Sequence, residues 1–88
     1  MKISTDDLAL YHYETCPYCR KVREALDRLD LDVELRNTRK EQQHREELTQ
    51  VGGQKQVPCL RIDHDDGTDW LYESDDIVVF LSEVFGES

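Results

Sequence analysis

Residues 8–22 read LALYHYETCPYCRKV, and the change of period inside this stretch decides the fold. The first part, LALYHY (8–13), is a short apolar and aromatic run of the kind that forms a buried strand. After Pro17 the apolar residues fall at Val22, Ala25, Leu26 and Leu29, offsets of 0, 3, 4 and 7. That spacing is one face of a helix of about three turns. Between strand and helix stand Cys16 and Cys19, separated by Pro17 and Tyr18.

Working outward, residues 32–36 (DVELR) alternate and predict a second strand. Thr38 and Glu41 have capping-box spacing, and helix-forming residues run on to about Thr49 before Gly52 and Gly53 break the chain. Residues 57–63 (VPCLRID) predict a third strand entered through a proline. Asp66-Gly67 is a hairpin signal, with a fourth, antiparallel strand over 70–72. Ser74 is the expected N-cap of a last helix, with Asp75 and Asp76 at its positive end. Ile77, Val78, Leu81, Val84 and Phe85 form its inner face. The order β-α-β-α-β-β-α, with a crossover helix between the first two strands, predicts an α/β mixed four-stranded sheet covered by three helices.

The 88 residues predict one small domain spanning 1–88. The net charge of −9 argues against nucleic-acid partners and anionic membrane surfaces, because it repels phosphate. No apolar run approaches the roughly 20 residues that cross a bilayer, and MKISTDDLAL lacks the apolar core of a signal peptide. A cytoplasmic protein is therefore expected. Its three cysteines form no closed disulfide framework; in a reducing compartment, CxxC spacing points to catalysis or metal binding.

Pro17 suits the first helical position, where its missing N–H is not needed. Cys16 is then at or near the N-cap, where unpaired N–H groups and the helix dipole favour the nucleophilic thiolate. Arg20 and Lys21 add positive charge in the first turn. Cys19, one turn on, is placed to attack a disulfide formed at Cys16. A zinc site could draw on Cys16, Cys19 and Cys59 with His12 or His64, but no second CxxC or HxxxH pair exists. A purely structural disulfide would close too short a loop to constrain much.

Taken together, Cys16-Pro17-Tyr18-Cys19 at a helix start, Val57-Pro58 opening a later strand, and the acidic start Ser74-Asp75-Asp76 resemble the glutaredoxins over nearly the whole chain. Leu71-Tyr72-Glu73-Ser74 is similar to the glutathione-binding corner of glutathione transferase N-terminal domains, which share that fold. The resemblance implies a thioredoxin-like fold and a glutathione-dependent thiol–disulfide oxidoreductase acting on protein disulfides and glutathionylated thiols. Glutathione would be the reducing co-substrate, with no metal expected, and the protein is expected to be a monomer. By position, Cys16 would be the nucleophile and Cys19 the resolving thiol. Tyr18 would line the site, Pro58 would be a cis-proline, and the backbone of Val57 would pair with the glutathione cysteine. Lys55 would face the glycine carboxylate, while Glu73, Ser74 and Asp75 would hold the γ-glutamyl end.

The chain departs from the pattern at Tyr13, where many members carry lysine, and at Tyr72-Glu73, where a glycine pair is usual. The alternatives are a transferase-like glutathione-binding module with little redox turnover, or an iron–sulfur carrier using Cys16 and glutathione. Of the remaining residues, Cys59 reads as a small buried hydrophobe, His12 as structural, and Trp70 as core or sheet cover. His44 and His64 read as solvated. Arg39, Lys40 and Arg45 also read as solvated, on the second helix, with one able to reach the glycine carboxylate. Asp63, Asp65 and Asp66 read as a turn.

Overall fold

The computed structural model describes residues 4–53 and 56–86. A short 3-10 turn, Thr5–Asp7, capped by Ser4, leads into strand β1 (Leu8–His12). There follow helix α1 (Pro17–Arg28), strand β2 (Glu34–Asn37), helix α2 (Gln42–Gln50), strands β3 (Cys59–His64) and β4 (Gly67–Leu71), and helix α3 (Ser74–Phe85). The sheet order is β2-β1-β3-β4. β1 and β2 are parallel, whereas β1–β3 and β3–β4 are antiparallel. This is the mixed four-stranded sheet with three helices that the sequence pattern predicts, in the thioredoxin-like arrangement that the resemblance implies.

Every residue of β1 is buried, because the strand lies inside the sheet with helices on both faces. Leu8 and Leu10 join Val22 and Leu26 of α1, Leu60 and Ile62 of β3, and Ile77 and Leu81 of α3 in one core layer. Ala9 and Tyr11 point the other way, packing with Leu48 of α2, Cys59 and the half-buried Trp70. Each fully buried aliphatic side chain contributes about 1.5–3 kcal/mol, so the two layers fix which way β1 faces. On the α2 side the fully buried Tyr11 still satisfies its hydroxyl. It donates to Glu47 and accepts from Arg36 Nη1 at 2.6 Å, and Arg36 also reaches Glu47 at 2.7 Å. Among the described residues no helix is long and apolar enough to cross a membrane.

Several boundaries differ from the sequence reading. The expected Thr38–Glu41 capping box does not form. Asn37 Oδ1 accepts the N–H groups of Arg39 and Lys40 at 2.9 and 3.0 Å, and Thr38 Oγ1 donates to the His12 carbonyl at 3.3 Å. That side-chain turn competes with the helix for the same amides and delays its start to Gln42. Arg39 and Lys40 therefore precede α2. Ser74 is not the N-cap of α3: the Ile77 N–H bonds the Glu73 carbonyl at 2.9 Å, so Ser74 is already helical and Glu73 is the cap. In the β3–β4 hairpin, His64 pairs with Gly67, so the turn is Asp65–Asp66. Gly67, at φ 153, opens the returning strand.

Helix α1 ends without a glycine. Asp30 takes φ 55, the Leu31 N–H bonds the Leu26 carbonyl at 2.9 Å and the Asp30 N–H bonds that of Asp27 at 3.1 Å. These two bonds are the pair that closes a helix through a left-handed residue. A side chain there costs about 1 kcal/mol or more, partly offset by glycine's greater freedom when unfolded. Asp30→Gly is therefore expected to stabilise the protein by about 0.5 kcal/mol, read as a higher urea midpoint with an unchanged slope. A lower midpoint would contradict the left-handed closure.

Candidate active site

Cys16 is the N-cap of α1, with extended backbone (φ −78, ψ 119) and Pro17 as the first helical residue. Its sulfur accepts the Cys19 N–H at 3.4 Å, while its carbonyl accepts the Arg20 N–H at 3.0 Å. Both cysteines are buried, Cys16 at 4% exposure and Cys19 at 0%, and no disulfide joins them. Burial alone would push the Cys16 thiol up. Hydrogen bonds from the Cys19 thiol, from the backbone N–H groups of Cys19 and Tyr18, and from the Tyr13 side chain outweigh it and hold Cys16 below the ordinary thiol value. Cys19 is pushed up to about 12, first by burial, then by its hydrogen bond to Cys16. The two thiols of one motif are thus driven apart, as a nucleophile and a resolving partner require.

The first-turn cations do less than the sequence suggests. Arg20 Nε pairs with Glu24 at 3.1 Å on the exposed face, and Lys21 pairs with Asp75 at the start of α3. Tyr13, at the lysine position, compensates: it serves Cys16 directly, and the Arg39 guanidinium sits 4.1 Å from its ring centre. Nothing in the sequence pattern singles out this stack, because Arg39 arrives from a turn where the pattern predicts a helix.

Beside the cysteines, a groove of about 240 Å³ is lined by Tyr18, Val57, Pro58, Glu73, Ser74 and Asp75, all of them residues picked out from the sequence. Gln56 and Tyr72 complete it. Tyr72 belongs to the Leu71-Tyr72-Glu73-Ser74 corner that the sequence offers, whereas Gln56 is signalled only by its place next to Val57. Gln56 Nε2 donates to the Tyr72 carbonyl at 3.3 Å, tying the segment before Pro58 to the one before α3. The Val57–Pro58 peptide is cis, as expected. Lys55 lies outside the described residues.

A second groove, also about 240 Å³, lies across Val57 and is lined by Tyr13, Thr38, Arg39, Arg45 and Leu48 as well as Val57. Val57 is therefore the shared wall of two grooves, one carboxylate-rich and one arginine-lined.

The remaining candidates separate cleanly. Cys59 is fully buried with Ala9, Tyr11 and Leu48, and burial pushes its thiol up to about 12 despite a hydrogen bond from Tyr72. Among the described residues no group of three or more His, Cys, Asp and Glu side chains gathers as metal ligands would. His12 is buried, its Nδ1 2.9 Å from Arg23 Nη1. His64 is exposed, as the sequence reading has it, with Nε2 2.8 Å from Asp69, whereas His44 on α2 is partly buried rather than solvated, with Nδ1 4.0 Å from Glu47.

Residues 10–88 match the model of the glutathione S-transferase N-terminal domain family. The chain is 35% identical to glutaredoxin 2 of Escherichia coli K12 over 80 residues, covering 91% of this chain and 35% of that protein. It thus spans about a third of the length of this relative. Among solved structures it is similar to the E7 isozyme of glutathione S-transferase from Drosophila melanogaster, with a TM-score of 0.70, 29% identity, and coverage of 92% and 36% of the two chains. It also matches a glutathione transferase homologue from Drosophila mojavensis with bound glutathione, with a TM-score of 0.75, 24% identity, and coverage of 93% and 36%. With the thioredoxin-like sheet, the cis-proline and the family match all in agreement, the chain belongs to the glutathione S-transferase N-terminal domain family.

Proposed function

We propose that this chain is a glutathione-dependent thiol–disulfide oxidoreductase of the dithiol glutaredoxin type. It would reduce protein disulfides and glutathionylated thiols in a reducing compartment such as the cytoplasm. The observation that carries the reading is the thiol pair itself, with Cys16 at the start of α1 accepting hydrogen bonds and Cys19 held protonated one turn on. The 35% identity to a protein named glutaredoxin 2 and the likeness to a structure holding glutathione support it.

In this reading the Cys16 thiolate attacks one sulfur of a disulfide. A new S–S bond forms to Cys16, the old one breaks, and the leaving sulfur departs with the electron pair and takes up a proton. Glutathione would lie extended against Val57, pairing main chain to main chain. Its γ-glutamyl end would meet Ser74 and Asp75 at the start of α3 beside Glu73, in the groove that also contains Tyr18 and Pro58. Its glycine carboxylate would turn toward Arg39 and Arg45 across Val57. A second glutathione, or Cys19, then releases Cys16. The family match favours a second reading, a transferase-like module that binds glutathione without turnover. Turnover with glutathione and a small glutathione mixed disulfide decides between them, and binding without turnover would select the module.

Two predictions follow from the roles of the thiols. Cys19→Ser should keep deglutathionylation within about threefold while reduction of protein disulfides falls at least about tenfold, because glutathione can replace the second thiol only in the first reaction. Loss of both activities in a folded variant would contradict the assignment.

Residue-resolved iodoacetamide labelling across pH should show Cys16 reacting first, with its midpoint below the ordinary thiol value of 9.0. Removing a hydrogen bond to a thiolate raises its pKa, so Tyr13→Phe should slow Cys16 labelling at pH 7 about two- to fivefold, and Tyr13→Lys should speed it. Earlier labelling of Cys19 would sink the helix-start argument.

A further inference from the structure

Arg23 lies on α1, one turn beyond Cys19, and its guanidinium folds back under the segment that joins β1 to the active site. Nη1 is 2.9 Å from His12 Nδ1 and 3.3 Å from the Tyr13 carbonyl, and Nη2 donates to the Glu14 carbonyl at 3.1 Å. Three consecutive residues are thereby tied to one side chain. Burial, then the charge of Arg23, hold the His12 imidazole below its ordinary value, with Glu14 opposing. His12 is therefore neutral at pH 7, and its Nδ1 is an acceptor for the guanidinium.

The middle residue of the three is joined to Cys16 and faces Cys19. The Tyr13 carbonyl accepts the Cys16 N–H at 3.3 Å, and Cys19 has the Tyr13 backbone N–H as the donor that opposes the upward push of burial on its thiol. Holding Tyr13 therefore holds the donor that faces Cys19. Arg23 also shares a helix face with Cys19, at a spacing of four residues. Arg20 and Lys21 pair with Glu24 and Asp75, whereas Arg23 is turned inward.

We propose that Arg23 is a positioning residue for the resolving step, holding the Tyr13 amide on Cys19 and setting a cation beside that sulfur as it attacks Cys16. The inference rests on the oxidoreductase reading above. In the resolving step Cys19 gives its proton to water, and its sulfur attacks Cys16 Sγ of the mixed disulfide. The Cys16–Cys19 bond forms as the bond from Cys16 to the substrate sulfur breaks. The departing thiolate carries away the electron pair and is protonated by water, and the oxidation level of the sulfurs passes unchanged from one disulfide to the other.

The need for Arg23 is greatest at that moment. In the reduced protein Cys19 is held protonated by burial, by its hydrogen bond to Cys16 and by the charge on Cys16, against the Tyr13 N–H and the charge of Arg23. Once Cys16 is in a mixed disulfide, its charge and its need for that hydrogen bond are gone. Burial then stands against the Tyr13 N–H and Arg23, the second of which also positions the first.

The test uses the full chain and the aromatic disulfide 5,5′-dithiobis(2-nitrobenzoate). Attack by Cys16 releases one coloured thiolate, and resolution by Cys19 releases a second, with no glutathione present. Arg23→Gln keeps a donor for the Tyr13 and Glu14 carbonyls but removes the charge, whereas Arg23→Lys keeps the charge. In Arg23→Gln the second release is expected to slow about tenfold at pH 7 and its pH midpoint to rise, while the first changes less than about threefold. Arg23→Lys should recover most of the rate and keep the midpoint. Circular dichroism confirms that each variant folds, and Arg23→Met serves as a second charge-free variant.

An unchanged second release in the charge-free variants overturns the proposal. So does an equal slowing of both releases, or a slowing without movement of the pH midpoint, which would mark a merely structural clamp. A second release that depends on Arg23 in a protein without glutathione turnover would uphold this inference while ending the glutathione reading.

Discussion

An α-helix starts with backbone N–H groups that no helical carbonyl can reach, and at the start of α1 a sulfur stands where a capping oxygen usually would. Much else in the molecule serves that substitution. Pro17 gives up an N–H that had no partner and fixes the direction of the first turn. The fully buried β1 aims the segment before Cys16, and the Val22–Leu26 face presses the helix onto the sheet. The cis peptide at Val57–Pro58 brings a second backbone edge to the site. A cap that is to act as a nucleophile, as proposed for Cys16, must be held by donors and still be free to leave them. A bond of 3.4 Å from the Cys19 N–H to sulfur is soft enough for both.

The parts of this arrangement that were legible in the sequence are those set by period and by steric exclusion. The helical face of α1 shows at Val22, Ala25 and Leu26, and the strand shows at LALYH because no polar residue interrupts it until His12. Six of the residues picked out for glutathione do line one groove, since they sit at chain positions that the fold must bring together. What stayed hidden depends on competition between side chains for the same backbone groups. Thr38 and Glu41 have the spacing of a capping box, yet Asn37 takes the amides first and Thr38 turns to the His12 carbonyl. Ser74 is a better capping residue than Glu73, yet the register of α3 makes Ser74 the first helical residue. Arg23 reads as one more polar residue on a helix, and only the path of β1 beside it gives its guanidinium three acceptors.

Charge is distributed against the average of the chain. The protein carries a net −9, yet the groove across Val57 from the carboxylates contains Arg39 and Arg45. A ligand with an ammonium at one end and a carboxylate at the other would meet complementary walls on the two sides of Val57. In the ligand-free protein Asp75 is paired with Lys21, and both side chains are more than half exposed. Exposed pairs of this kind contribute about 0–1 kcal/mol. Exchanging Lys21 for a ligand's ammonium at Asp75 would therefore cost little.

The third cysteine has a consequence for oxidation chemistry. Cys59 follows the cis-proline directly, but strand alternation turns it to the opposite side of the sheet from the α1 core, beneath Tyr11 and Leu48. With its thiol pushed up to about 12, only on the order of one molecule in 100,000 carries the Cys59 thiolate at neutral pH. Three thiols could pair in three ways, yet only Cys16 and Cys19 share one helical turn, with the Cys19 N–H 3.4 Å from the Cys16 sulfur, while Cys59 packs on the other side of the sheet with Ala9, Tyr11 and Leu48. An oxidant acting on this protein would thus find Cys16 and Cys19 already within one turn of each other, and the sheet itself stands between Cys59 and the α1 core layer.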